Sequence, residues 1–141
     1  MFRAVFTASA LMGAMLSVPA PADAQELDAQ IYELRTYYTN PGLLDHLHKR
    51  FREHTNYLFV KHGMRLIGYW VPEGEPEGEQ DKLIYILAFP SAEAREKSWQ
   101  AFRDDPEWQA VSKASEEAAG GRIVAKVESV IMSPTDYSPI R

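Results

Sequence analysis

The hydrophobic pattern changes period several times along this chain, and each change marks an element. Ile31 to Tyr38 alternates with period two, so Tyr32, Leu34, Thr36 and Tyr38 share one face of a strand and Ile31, Glu33, Arg35 and Tyr37 the other. From about Pro41 to His62 the period becomes helical. Leu44, Leu47, Phe51, Leu58 and His62 form one stripe, with Thr55 and His54 at its edges. Asn40 suits the cap of this helix and Pro41 its first position. Lys61 and His62 suit the negative end of the helix dipole, and Gly63 supplies the left-handed residue that stops the helix. Met64 to Val71 follows at once as a strand rich in aromatic and branched residues.

Leu83 to Phe89, LIYILAF, is apolar on both faces and reads as a central strand. Pro90 ends it, and Ser91 caps a helix that turns Ala92, Trp99 and Phe102 inward. Asp104-Asp105-Pro106 breaks that helix and starts another, with Asp105 as cap. Trp108, Val111 and Ser115 follow at helical spacing until Gly120-Gly121. Arg122 to Met132 is the last strand, and Ser133 to Pro139 an extended tail anchored by aromatic and proline residues. Strand, helix, strand, strand, helix, strand is the order of a split βαβ, ferredoxin-like α+β domain. Right-handed crossovers put the helices on one face of a four-stranded antiparallel sheet. The other face is then bare. With strand three apolar on both sides, and with Tyr37, Ile67, Tyr69 and Trp70 beside it, a second copy packed sheet to sheet is expected to cover it.

Charge and composition narrow the address and the partners. The net charge of −5 gives no electrostatic footprint for nucleic acid. With no cysteine, an exported form does without disulfides and without thiolate chemistry. Export is expected because Ala4 to Val18 is an apolar run, broken by Pro19-Ala20-Pro21 and followed by the small-x-small site Ala22-Asp23-Ala24. The run falls short of the about 20 residues of a membrane span. Residues 1–24 are therefore read as a signal peptide and 25–141 as the mature domain, exported to a bacterial periplasm, with no membrane span after cleavage. Pro72 to Asp81 carries five acids among Pro and Gly, which marks a solvated hairpin loop; the spacing does not match a calcium loop.

The candidate chemistry is sparse. Tyr37, Trp70, Tyr85 and Trp99, with Arg35 to orient a guest, are the candidate ligand-binding residues of a cavity between helices and sheet. They fit a module for a small apolar or aromatic ligand, with no cofactor. The alternative is an enzyme on a small aromatic substrate, oxygenase- or isomerase-like and free of cofactor. It would use His54 or His62 as general base, with Arg35 or Tyr37 holding an anionic group. His54 and His62 stand eight residues apart, about 12 Å along the axis, too far to share a metal, and no metal site is expected. Nothing in the spacing asks for haem. Glu33 and Arg35 on the first strand, and Lys126 and Glu128 on the last, read as a cross-strand ion-pair ladder that sets dimer register.

Four segments in order carry a resemblance. They are Tyr32-Glu33-Leu34-Arg35-Thr36-Tyr37 followed by Pro41-Gly42; His62-Gly63-Met64 leading to Gly68-Tyr69-Trp70; Asp105-Pro106-Glu107-Trp108; and the tail Pro134 to Pro139. On these the chain resembles the NIPSNAP family. The resemblance implies a dimeric α+β barrel. It carries over no catalytic motif, because the wider barrel group includes cofactor-free oxygenases, haem proteins and isomerases, and a shared fold does not fix an activity.

Overall fold

The strand that starts the domain also lies at the centre of its sheet. The computed structural model describes residues 30–74 and 81–140; the expected leader and most of the acidic loop lie outside the described residues. In chain order the elements are β1 (Ile31–Thr39), a three-part helix, β2 (Arg65–Trp70), β3 (Lys82–Phe89), α3 (Ala92–Asp104), α4 (Pro106–Ala118) and β4 (Val124–Met132). The three-part helix comprises α1 (Leu44–Arg50), a π-helical turn (Phe51–Thr55) and α2 (Asn56–Lys61). The sheet order is β2-β3-β1-β4, all antiparallel. This is the ferredoxin-like arrangement expected from the order of elements.

Register separates the two faces. Glu33 opposes Leu87, Arg35 opposes Tyr85 and Tyr37 opposes Leu83 across β1 and β3. These side chains face the helices, where Leu47, Phe51, Leu58, Phe59, Trp99 and Phe102 close the core over them. Tyr37 and Tyr69 therefore belong to the helix face; the sequence reading counted both toward the open face, and Tyr37 also among the cavity residues. The open face carries Leu34, Ile84, Ile86 and Val130, with Trp70 half exposed at 50%. The Trp70 ring lies across Gly68, where any Cβ would stand 2.6 Å from it. The expected ladder does not form. Glu33 and Arg35 are on the helix face, while Lys126 and Glu128 pair with each other at 2.5 Å on the open one, where Glu128 also accepts from the Tyr38 hydroxyl. Tyr137 of the tail stands exposed rather than anchored.

The long helix departs from a plain 3.6 repeat, and the departure decides which side chains go inward. An i→i+5 turn inserts about one residue and sets later positions back by up to about 100°. Thr55 and Phe59 are thereby brought under the sheet, both almost fully buried. Asn56 N donates to Phe51 O across the i→i+5 turn, and the carbonyl of Arg50 accepts from Thr55 Oγ1 at 3.3 Å. His54 is turned the other way, to 46% side-chain exposure, off the edge of the stripe.

The helix ends as its sequence requires. Gly63 has φ of 77°, Gly63 N donates to Val60 O at 3.0 Å, and Met64 N donates to Phe59 O at 3.0 Å. That double closure is the Schellman motif, with Met64 buried behind it. Lys61 and His62 do not cap the last carbonyls. They clasp Asp105 at 2.8 and 2.7 Å, and Asp105 also caps α4 by accepting from Glu107 N at 2.8 Å. Replacing Gly63 by Ala is expected to destabilise the domain by about 1–2 kcal/mol, because an L-residue is held at positive φ. The melting temperature measured by circular dichroism should drop by several degrees, whereas Gly121→Ala, at ordinary φ and with open space around its Cβ, should leave it unchanged.

Candidate ligand-binding site

A carboxylate is fully buried on the central strand. Glu33 Oε1 accepts from Arg35 Nη1 at 2.8 Å, Arg95 Nη2 at 3.0 Å and Ser129 Oγ at 2.6 Å. Its Oε2 accepts from Arg95 Nε at 2.8 Å and Trp99 Nε1 at 2.7 Å. Burial by itself raises a carboxyl pKa, but the bonds from Arg95, Ser129 and Trp99 and the charge of Arg35 outweigh it and hold Glu33 at about 2. The donors come from β1, β4 and α3, so this carboxylate fixes the positions of all three.

Arg35 is carried over the Trp99 ring, with Cζ 4.3 Å from its centroid and 5.5 Å from that of Tyr37. Burial disfavours its charged form, yet Tyr37, Tyr85 and Glu33 hold its pKa above the ordinary value. Around it the aromatic side chains interlock. Tyr85 meets Tyr37 edge-on at 5.2 Å and stacks on Tyr69 at 5.6 Å, and Phe51 abuts all three tyrosines.

The polar atoms of this cluster are not paired off. Arg35 Nε, Arg50 Nε and the hydroxyls of Tyr69 and Tyr85 are all buried without a hydrogen-bond partner. Burial lifts the pKa of both phenols, so each stays a protonated donor. Arg50 is 5% exposed, and its guanidinium reaches only Ser115 Oγ at 3.4 Å and the face of Trp108 at 5.3 Å. Burial lowers its pKa, with Tyr37, Glu116 and Tyr85 acting the other way. Glu33 serves both Arg35 and Arg95, Glu96 takes a second side of Arg95, and no carboxylate is bonded to Arg50 among the described residues. Positive charge and hydrogen-bond donors are therefore in excess.

Two hollows border the cluster. One, of about 650 Å³, opens between α1 and α4, with Arg50 and Ser115 against walls of Ala110, Val111, Ala114 and Ala118. The other, of about 280 Å³, lies beside β2 and is bordered by His48, Phe51, Asn56, Tyr69 and Leu83. Asn56 Oδ1 is buried there without a partner. Burial and the charge of Arg52 lower the His48 pKa, which favours a neutral imidazole.

Of the residues chosen from sequence, Arg35, Tyr37, Tyr85 and Trp99 are brought together here. Trp70 lays its ring across Gly68 on the open face and borders only the hollow beside β2. His62 is held by Asp105, and His54 borders the α1–α4 hollow beside Glu53 instead of reaching the space between helix and sheet. Sequence reasoning missed Glu33 as the organising acid, and with it Arg50, Tyr69, Arg95 and Ser129. The one available signal for Arg50 was its place beside Phe51 and three residues after Leu47, at the stripe's edge.

Residues 32–139 match the NIPSNAP family profile. The chain belongs to the NIPSNAP family. A NIPSNAP family protein from Agrobacterium tumefaciens has a similar structure, with a TM-score of 0.66 and 26% identity over 79% of this chain and 99% of that one. A NIPSNAP-like domain protein from Burkholderia xenovorans gives a TM-score of 0.65 at 20% identity, over 78% and 89%. SnoaB, a cofactor-independent oxygenase from Streptomyces nogalater, shares the fold at a TM-score of 0.52 and 9% identity, over 79% and 98%. No curated protein sequence matches the chain.

Proposed function

We propose that this NIPSNAP protein is a homodimeric module that binds a small molecule in the aromatic-lined space between its sheet and helices. The observation that carries the reading is the set of buried donors without acceptors at Arg35, Tyr69 and Tyr85. A buried polar group left unpaired costs about 1–3 kcal/mol, and several together are retained where a guest supplies the missing acceptors. Phe51, Tyr37 and Trp99 furnish the apolar walls around them. The catalytic alternative has less support. The likeness to SnoaB is one of fold, and neither His54 nor His62 stands beside the tyrosine hydroxyls. The pairing of two copies is supported by the open sheet face, where Leu34, Ile84, Ile86, Val130 and Trp70 gather apolar surface that no helix covers.

Tyr85→Phe separates a ligand seat from a mere core. The variant loses a buried hydroxyl that has no close hydrogen-bond partner among the described residues and is acted on only by Tyr37 as a hydrogen-bonding neighbour, so the ligand-free melting temperature should rise by a few degrees, as about 1 kcal/mol would give. A small molecule that co-purifies with the natural protein, seen by native mass spectrometry, should be retained less by the variant. A lowered melting temperature, together with no co-purifying mass on either protein, contradicts the reading. For the dimer, Leu34→Glu puts a charge in the open face without touching the core. Light scattering should then report a single chain with unchanged circular dichroism, and a natural protein already of one-chain mass would refute the pairing.

A further inference from the structure

The helix α4 is unusual in that none of its residues is buried, although it lies against α1. The hollow between them exists because its wall is built from Ala110, Ala114 and Ala118, whose methyl groups do not reach across. At about 650 Å³ it falls within the range of about 300–1,000 Å³ usual for small-molecule sites. Its two sides differ in kind. The α4 side is apolar, with Val111 added to the alanines. The opposite side carries His46, Lys49, Arg50 and His54 against a single acid, Glu53. Arg50 is the residue that points to a ligand. It is 95% buried by its exposure of 5%, it has no salt bridge, and its Nε has no partner. A guanidinium taken out of water without a counter-ion is strongly unfavourable, by several kcal/mol, and the cost is offset when an anion arrives. Glu116 is near enough to act on Arg50 through its charge but forms no ion pair with it.

We propose that the hollow between α1 and α4 receives the carboxylate end of an elongated apolar acid, with Arg50 as its counter-ion and Ser115 as a second donor. Arg50 offers the planar fork that suits a carboxylate. Lys49 and His46 at the rim attract the anion, and the alanine wall covers its hydrocarbon body. The Ser115 hydroxyl now donates to Ser112 O at 2.8 Å and can turn toward the guest. The inference rests on the reading of this protein as a small-molecule binder and names the class of molecule.

The test uses decanoate and decanol as probes, alike in their apolar bodies and different in charge, titrated calorimetrically against the full mature protein. Decanoate should bind saturably, one per chain, and decanol at least about 10-fold more weakly, a difference of about 1.4 kcal/mol. Arg50→Gln should weaken decanoate by about 100-fold, as loss of a buried charge partner does, and leave decanol unchanged. Ala114→Trp fills the hollow and should block both probes, which covers the case in which Arg50→Gln fails to fold. Equal binding of the two probes, or indifference to Arg50→Gln, overturns the anionic class while leaving the binder reading intact. Undiminished decanoate binding in Ala114→Trp overturns the location. Absence of binding by either probe up to about 1 mM overturns the inference, and the broader reading then stands or falls on the co-purifying molecule.

Discussion

The ionised, fully buried Glu33 is the constraint on which the rest of this domain depends. A carboxylate on a central strand is tolerable only when donors surround it. Arg95 and Trp99 from α3, Ser129 from β4 and Arg35 from its own strand do so. The bidentate grip of Arg95 is a specific geometry, so it sets both the height and the rotation of α3 over the sheet. Ser129 does the same for the edge strand β4, which otherwise contributes the buried Val124 at its start and the half-exposed Val127 and Ile131. Packing supplies the larger share of stability, through Leu47, Phe59, Tyr85 and Trp99 among others. The polar cluster supplies uniqueness, since few placements of α3 satisfy five donors at once.

The same constraint produces the site. Arg95 is matched by Glu96 as well as by Glu33, and Arg35, drawn over Trp99, carries its own charge toward Tyr37 and Tyr85. Arg50 adds a second charge from the helix side. It comes inward at the residue where the helix passes into its π turn, and its carbonyl there accepts from the Thr55 hydroxyl. Structure and site are thus one network seen from two ends. At one end every donor has an acceptor. At the other, buried donors await one.

The elements were legible in the sequence because their signals are local. Alternation in β1, apolarity on both faces of β3, Ser91 and Asp105 as caps and Gly63 as stop all act within a few residues. Arg35, Tyr37, Tyr85 and Trp99 were legible as a group because alternation and helical spacing aim them into one space. What failed was non-local. Period two separates the faces of a strand but does not say which face meets the helices, so Tyr69 was assigned to the wrong one and Tyr37 was counted toward both. Glu33 read as part of a cross-strand ladder because its true partners on α3 and β4 lie 62, 66 and 96 residues away. The π turn left no composition signal, and without it the 3.6 count put His54 beside the core.

Acid unfolding of the natural protein against Glu33→Gln tests the central claim most directly. The folded-state pKa of Glu33 is lowered from 4.5 to about 2, so its stabilising contribution is whole above about pH 4.5 and is lost as the pH falls through about 2. A shift of that size corresponds to about 3 kcal/mol, order of magnitude. All other carboxylates are common to both proteins and cancel in the difference between them. Urea denaturation should therefore give a large stability gap between natural protein and variant at neutral pH, shrinking by about 3 kcal/mol as the pH falls from about 4.5 toward 2. A gap that does not change with pH would mean that Glu33 titrates as it does in the unfolded chain, and the ionised anchor described here would be wrong.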